Sequence, residues 1–209
     1  MALVRANAPE LRIERSEDAV SLRLLLADGD ADARRHAAHA LCRMPDTAGC
    51  LAGRLDIEPD DRVREAIFAS LVAIGGEPVA DLVAPLIRHE NAAVRGGAIE
   101  ALKLLDDDAV AALDDLLEDP DSDVRVLAIE VTRSWPPALA APRLRRIIET
   151  DPHVNVCGAA VDVATEVGTE MLLDGLARLR ERFAHEAFLV FAADIAILRI
   201  DALGKPGAS

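Results

Sequence analysis

The chain of 209 residues has room for one large domain or one short array of repeats. Hydrophobic residues make up 51%, but aromatics are only 2% and tyrosine is absent, which suits helices packed through small side chains and not a sheet. A net charge of −14 opposes binding to a phosphate backbone, and no apolar run is long enough to span a bilayer.

Residues 1–17, which include Pro9, read as an irregular extension. Met1 to Ala8 lack the apolar core of a secretory signal. The three cysteines, Cys42, Cys50 and Cys157, form no Cys-x-x-Cys pair, so free thiols in a cytoplasmic protein are expected. Residues 18–200 then carry a recurring turn. It reads Asp30-Ala31-Asp32-Ala33-Arg34, Asp60-Asp61-Arg62-Val63-Arg64, Asn91-Ala92-Ala93-Val94-Arg95 and Asp121-Ser122-Asp123-Val124-Arg125. A degenerate copy, Asp151-Pro152-His153-Val154-Asn155, follows. The apolar anchors Ala33, Val63, Val94, Val124 and Val154 are 30, 31, 30 and 30 residues apart, a period that marks a solenoid.

Before each turn lies an apolar helical stripe, as in Leu22, Leu25 and Leu26, in Val83, Leu86 and Ile87, and in Leu113, Leu116 and Leu117. The turn aspartate is placed to cap the helix that follows, which Val124, Leu127, Ala128 and Val131 continue in the fourth copy. The sixth unit, from about Thr169, has lost the signature, and residues 201–209 read as a flexible tail.

The Asp-x-x-Val-Arg turn, followed by Ala98-Ile99-Glu100-Ala101-Leu102, resembles the HEAT-like repeat family. The likeness is to its short-repeat branch, known from phycobilin lyases and many bacterial scaffold proteins. It implies an all-α fold, a right-handed α-α superhelix of about six helical hairpins. It also implies that the arginine column Arg34, Arg64, Arg95 and Arg125 is structural, each guanidinium reaching the adjoining turn at Asp60, Asn91, Asp121 or Asp151.

Second helices of such arrays line the concave side, and positions two, six and nine after each anchor point away from the core. They nominate Val72, Glu100, Lys103, Val126, Glu130, Arg133, Val156, Ala160 and Val163 as partner-binding residues. The fifth layer is wholly apolar there, which marks either a contact patch or a face that the curve of the layers partly buries. From Ala187 to Ile200 the last helix carries only two charges, Asp194 and Arg199. Phe188, Phe191, Ile195 and Leu198 form one stripe, while Leu189 and Ile200 fall opposite and join the candidate contact set. Asp162 and Asp194 stand at core-like positions.

Other chemistry reads weakly. His36, His39 and Cys42 share a helix, but the sixth-residue offset turns Cys42 to another side, so no metal site is assigned. His153 and Cys157 lack a third group for nucleophilic catalysis, and no catalytic residue or cofactor is assigned. Nine acidic residues between Asp106 and Asp123 read as solvated turns. Trp135 reads as a core plug, and one Trp with no Tyr argues against the base-stacking groove of a DNA-repair array.

The leading expectation is a non-enzymatic scaffold, adaptor or assembly factor that binds another protein through its concave face and C-terminal layers, with a second copy as a further partner through the last helix. The alternative, from resemblance alone, is one subunit of a bilin lyase-like chromophore-attachment factor. Nucleic acid and membrane are not expected partners.

Overall fold

The computed structural model describes residues 18–204, so the expected extension at 1–17 and most of the expected tail lie outside the described residues. Twelve α-helices pair as six layers, and the described residues contain no strand. The layers are α1 (Ala19–Asp28) with α2 (Ala31–Leu41), α3 (Ala48–Leu55) with α4 (Asp61–Ile74), and α5 (Glu77–Val83) with α6 (Ala92–Leu105). They continue as α7 (Val110–Leu117) with α8 (Ser122–Val131), α9 (Pro137–Thr150) with α10 (Val154–Val167), and α11 (Leu173–Arg182) with α12 (Ala187–Gly204). First helices contact first helices in succession, and second helices do the same from α2 to α12. The chain is an all-α solenoid of six hairpins.

Local chemistry sets these boundaries. Asp18, Asp30, Asp60, Asn91 and Asp121 each cap a helix by accepting backbone N–H groups with the side-chain oxygen. Gly75, at φ 67°, and Gly168, at φ 65°, close α4 and α10 with backbone that a side chain would strain. The stripe expected as one helix in the third layer is broken. Pro85 cannot donate to a helical carbonyl, so Leu86 and Ile87 sit on a tighter turn, Ala84–Arg88. The final helix runs to Gly204, past the expected boundary at 201, because nothing before that glycine breaks it.

The core is a stack of equivalent side chains. Val63, Val94 and Val124 are buried, as are Ile67, Ala98 and Ala128 four residues on. Trp135 is 3% exposed and its indole N–H donates to the Leu102 carbonyl at 3.4 Å. The second and third layers approach closely where Gly97 of α6 meets Phe68 of α4. A methyl at Gly97 would lie 2.2 Å from the Phe68 ring, whereas one at Gly96 would meet nothing within 4 Å.

The turns are tied by carboxylates, but not by the aspartates expected. Asp60, Asn91 and Asp121 are occupied as caps, so the residue two before each cap takes the other role. Glu58 accepts from the Asp60 N–H at 3.0 Å and receives a bidentate Arg34 at 2.7 and 2.8 Å, with Arg54 at 2.9 Å. Asp119 accepts from the Asp121 N–H at 2.8 Å and pairs with Arg88. In the third turn this place belongs to His89, whose Nδ1 accepts from Asn91 at 3.0 Å and offers an arginine no charge. Arg64 therefore stays in its own turn, on Asp61 and the Glu58 carbonyl, and Arg95 donates to the His89 and Glu90 carbonyls at 2.8 Å. Only Arg125 reaches an expected aspartate, Asp151, at 2.8 and 3.2 Å.

Asp151 is itself equivalent to Glu58 and Asp119, because it accepts from the N–H of His153, the residue that caps α10, at 2.8 Å. The fifth layer is thus two residues out of the expected register. Val156 is its anchor and Cys157 takes the arginine place. The Cys157 thiol donates to the Asp151 carbonyl at 3.3 Å, six residues back, as Arg125 does to Asp119.

Two predictions follow from these contacts. Burial works against the Glu58 charge, but the bonds from Arg34, Asp60 and Arg54 outweigh it and hold the pKa at about 2, below the ordinary 4.5. A depressed folded pKa contributes stability above pH 4.5 that drains away as pH falls toward 2. Acid titration of unfolding should show this loss. Glu58→Gln should remove that slope and cost about 3 kcal/mol at neutral pH, since two cations lose a buried partner. In denaturant melts, Gly97→Ala should destabilise by about 1–3 kcal/mol through overpacking, while Gly96→Ala should be neutral or stabilise by up to about 1 kcal/mol.

Candidate protein-binding surface

The second helices α4, α6, α8 and α10 present one continuous side of the solenoid. In its middle, candidate residues form a chain of ion pairs across three layers. Lys103 of α6 donates to Glu100 at 2.9 Å and to Glu130 of α8 at 3.3 Å. Arg133, in the turn after α8, binds Glu130 at 2.9 Å, Asp162 of α10 at 2.8 Å and Glu166. Burial works against the charge of Glu130, yet the hydrogen bonds from Arg133 and Lys103 lower its pKa. Hydrogen bonds to Glu130 and Asp162 raise that of Arg133.

Burial divides this row by sign. The Lys103 side chain is 14% exposed and that of Arg133 27%, against 70% for Glu100 and 69% for Asp162. The cations lie along the surface with Glu130 half-buried between them, and Glu100 and Asp162 at the ends of the row stand out from it. With Glu65 and Glu166 also exposed, the side facing solvent is acidic.

Next to this row an open groove of about 600 Å³ lies between α4 and α6. Phe68, Ala69, Val72, Ala101 and Leu104 make its floor and wall, and Gly96 and Gly97 leave the space. Asp61, Glu65 and Glu100 stand on its rim, while the Arg64 guanidinium is turned to Asp61 and the Glu58 carbonyl. Of the candidates, Val72 and Glu100 line this groove. Val126 belongs to a second depression, with His89 and Arg95, beside the turns of the third and fourth layers. Phe68, Leu104 and Gly97 were not among the candidates. Leu104, 68% exposed, lies ten residues after its anchor, outside the two, six and nine pattern.

The C-terminal candidates need correction. Val156, Ala160 and Val163 are 0%, 0% and 1% exposed, since the shifted register places them on the core side of α10. The residues that do occupy the outward places are Gly158, Asp162 and Thr165. Asp162 is thus the counterpart of Glu100 and Glu130 and not a buried carboxylate. Leu189 and Ile200 are also interior, at 1% and 0%, packed with Ala193 and Ala196 where α12 meets α10 and α11. The opposite stripe of α12 is the exposed one. Asp194, 43% exposed, pairs with Arg180 at 2.8 Å.

Where the arginine column ends, an arginine from the next layer replaces it. Arg182 of α11 donates to the carbonyls of Ile148 at 3.0 Å and Asp151 at 2.9 Å, and to the Cys157 sulfur at 3.4 Å. Cys157 is fully buried, and burial pushes its thiol pKa up despite Arg182, the reverse of what a nucleophile needs. Among the described residues no three His, Cys, Asp or Glu side chains converge as a metal set. No helix among them is long and apolar enough to cross a membrane.

This is a helical-hairpin solenoid with a grooved, acidic second-helix side. A HEAT-repeat model matches residues 19–103, 55–133 and 79–164, and the chain belongs to the HEAT-repeat family. Among solved structures it is similar to an archaeal HEAT-like repeats protein from Thermococcus onnurineus NA1, at 14% identity and a TM-score of 0.46, covering 90% of this chain and 88% of that one. An engineered protein aligns at 16% identity and a TM-score of 0.42, over 89% of this chain and 97% of that one. A designed armadillo repeat protein aligns at 13% identity and a TM-score of 0.39, over 88% and 100%. No curated protein matches the chain.

Thiol titration checks the site chemistry. Cys42 and Cys50, both partly exposed, should react in the native protein, and Cys157 should react only on unfolding. Equal rates for all three would contradict the buried, arginine-like role of Cys157.

Proposed function

We propose that this protein is a non-enzymatic, cytoplasmic scaffold that holds a protein partner on its concave second-helix side, from the α4–α6 groove toward the C-terminal layers. The observation that carries the reading is the groove itself. It is open and apolar, and it lies between helices held in place by the layers on either side. A partner's apolar side chain entering between Phe68 and Leu104 would leave water without disturbing the fold. The acidic rim, and the outward carboxylates beyond it, favour a basic segment around that anchor. Three free thiols support a reducing compartment.

A photo-cross-linking residue at Leu104, in the full chain made in its own cells, should give a discrete covalent adduct. The same residue at Glu77, on a first helix, should give none, and Ala69→Arg should abolish the Leu104 adduct by filling the groove. Raising the salt during cross-linking should weaken it, as expected for a basic partner. Equal adducts from both positions, or an adduct indifferent to Ala69→Arg, would refute the groove as the docking place.

A further inference from the structure

Among the described residues, the outer face of α12 carries four exposed large apolar side chains in one stripe. Phe188 is 78% exposed, Phe191 64%, Ile195 43% and Leu198 65%, while Leu189, Ala193, Ala196 and Ile200 on the inner side are 0–1% exposed. The intervals from 188 to 191, 195 and 198 are three, four and three residues, the spacing of a coiled-coil seam. At the other end of the array α1 exposes only Val20, at 65%, and Leu24, at 60%. An end layer of a repeat array needs a polar outer face to stay in water unpaired, and α12 has the reverse.

Charges beside the seam decide what fits it. Asp194 flanks one side, 43% exposed and steadied by Arg180 at 2.8 Å. Arg199 flanks the other; it is exposed and makes no ion pair among the described residues. In a parallel pair of such helices, the position of Asp194 on one faces that of Arg199 on the other, and a twofold axis forms this contact twice. An antiparallel pair would instead set Asp194 against an aspartate, either its own copy or Asp201. Ile195 and Leu198 also fall at the two seam positions where a β-branched residue and leucine favour two parallel strands.

We propose that α12 pairs in parallel with α12 of a second copy, burying the Phe188, Phe191, Ile195 and Leu198 stripe about a twofold axis that runs along the helix. Each protomer supplies Asp194 to Arg199 of the other. The pairing leaves the α4–α6 groove untouched, so it stands or falls separately from the partner reading.

Light scattering on the full chain, from about 1 µM to about 200 µM, tests it. The mass should level off at twice the 22.3 kDa of one chain. Phe191→Glu should return it to one chain with unchanged circular dichroism, because the side chain is exposed and supports no core. Arg199→Glu should weaken the dimer about tenfold and Arg199→Lys should leave it intact. Leu198→Cys should form an oxidised dimer, since only the parallel pairing brings residue 198 against its own copy. A single-chain mass at all concentrations overturns the proposal. So does a mass that keeps rising, the sign of α12 meeting Val20 and Leu24 end to end, or a dimer indifferent to Phe191→Glu. A dimer that survives Arg199→Glu and yields no Leu198→Cys cross-link overturns the parallel arrangement.

Discussion

The structure depends on how each turn is closed. A helical hairpin of some thirty residues cannot bury its own apolar face, so layers must stack in one register, and the turn is where register is set. In the second and fourth turns a carboxylate two residues before the cap accepts the cap's N–H, while the arginine four residues after the cap donates to the carbonyl of that same residue. Glu58 and Asp151 also receive an arginine from the preceding layer. Each such group ties backbone to backbone through charge-assisted bonds at the edge of the core, where an unmet polar group would be costly.

Much of this was legible in the sequence, because the anchors are buried valines and burial repeats with the period. The number of layers, the caps and the solenoid all follow from that pattern. The register of the fifth layer is not legible in the same way, because Val154 and Val156 are two residues apart and either fits the anchor place. What distinguishes them is which residue receives the His153 N–H, and that is a fact of three dimensions. The same ambiguity makes Asp162 look interior and Val156 look exposed. In α12 the difficulty has another cause: the helix is apolar on all sides, so periodicity carries no sign of which side faces the core. The groove leaves little trace in the sequence, because it is made by what Gly96 and Gly97 lack, together with a leucine one step beyond the two, six and nine pattern.

The acidic second-helix side follows from the unequal reach of its side chains. Lysine and arginine lie along the surface and join neighbouring layers, while shorter glutamates and aspartates at the ends of the row keep their oxygens in water. The cations are thus spent on internal pairing and the field outside is negative. A side that looks mixed in the sequence therefore presents one sign, and only the burial of Lys103 and Arg133 reveals it.

The cysteine in the arginine column changes how the array can be divided. The first four turns keep an arginine of their own, Arg34, Arg64, Arg95 and Arg125, so their layers carry the means to close them. The turn ahead of α10 borrows Arg182 from α11, through the carbonyls of Ile148 and Asp151. Truncation after α10 would therefore strip the Ile148 and Asp151 carbonyls of their cation and leave this turn tied to a cation only through Arg125 on the Asp151 carboxylate. The last four helices therefore share one closing cation, and the fifth layer is complete only while the sixth stands beside it.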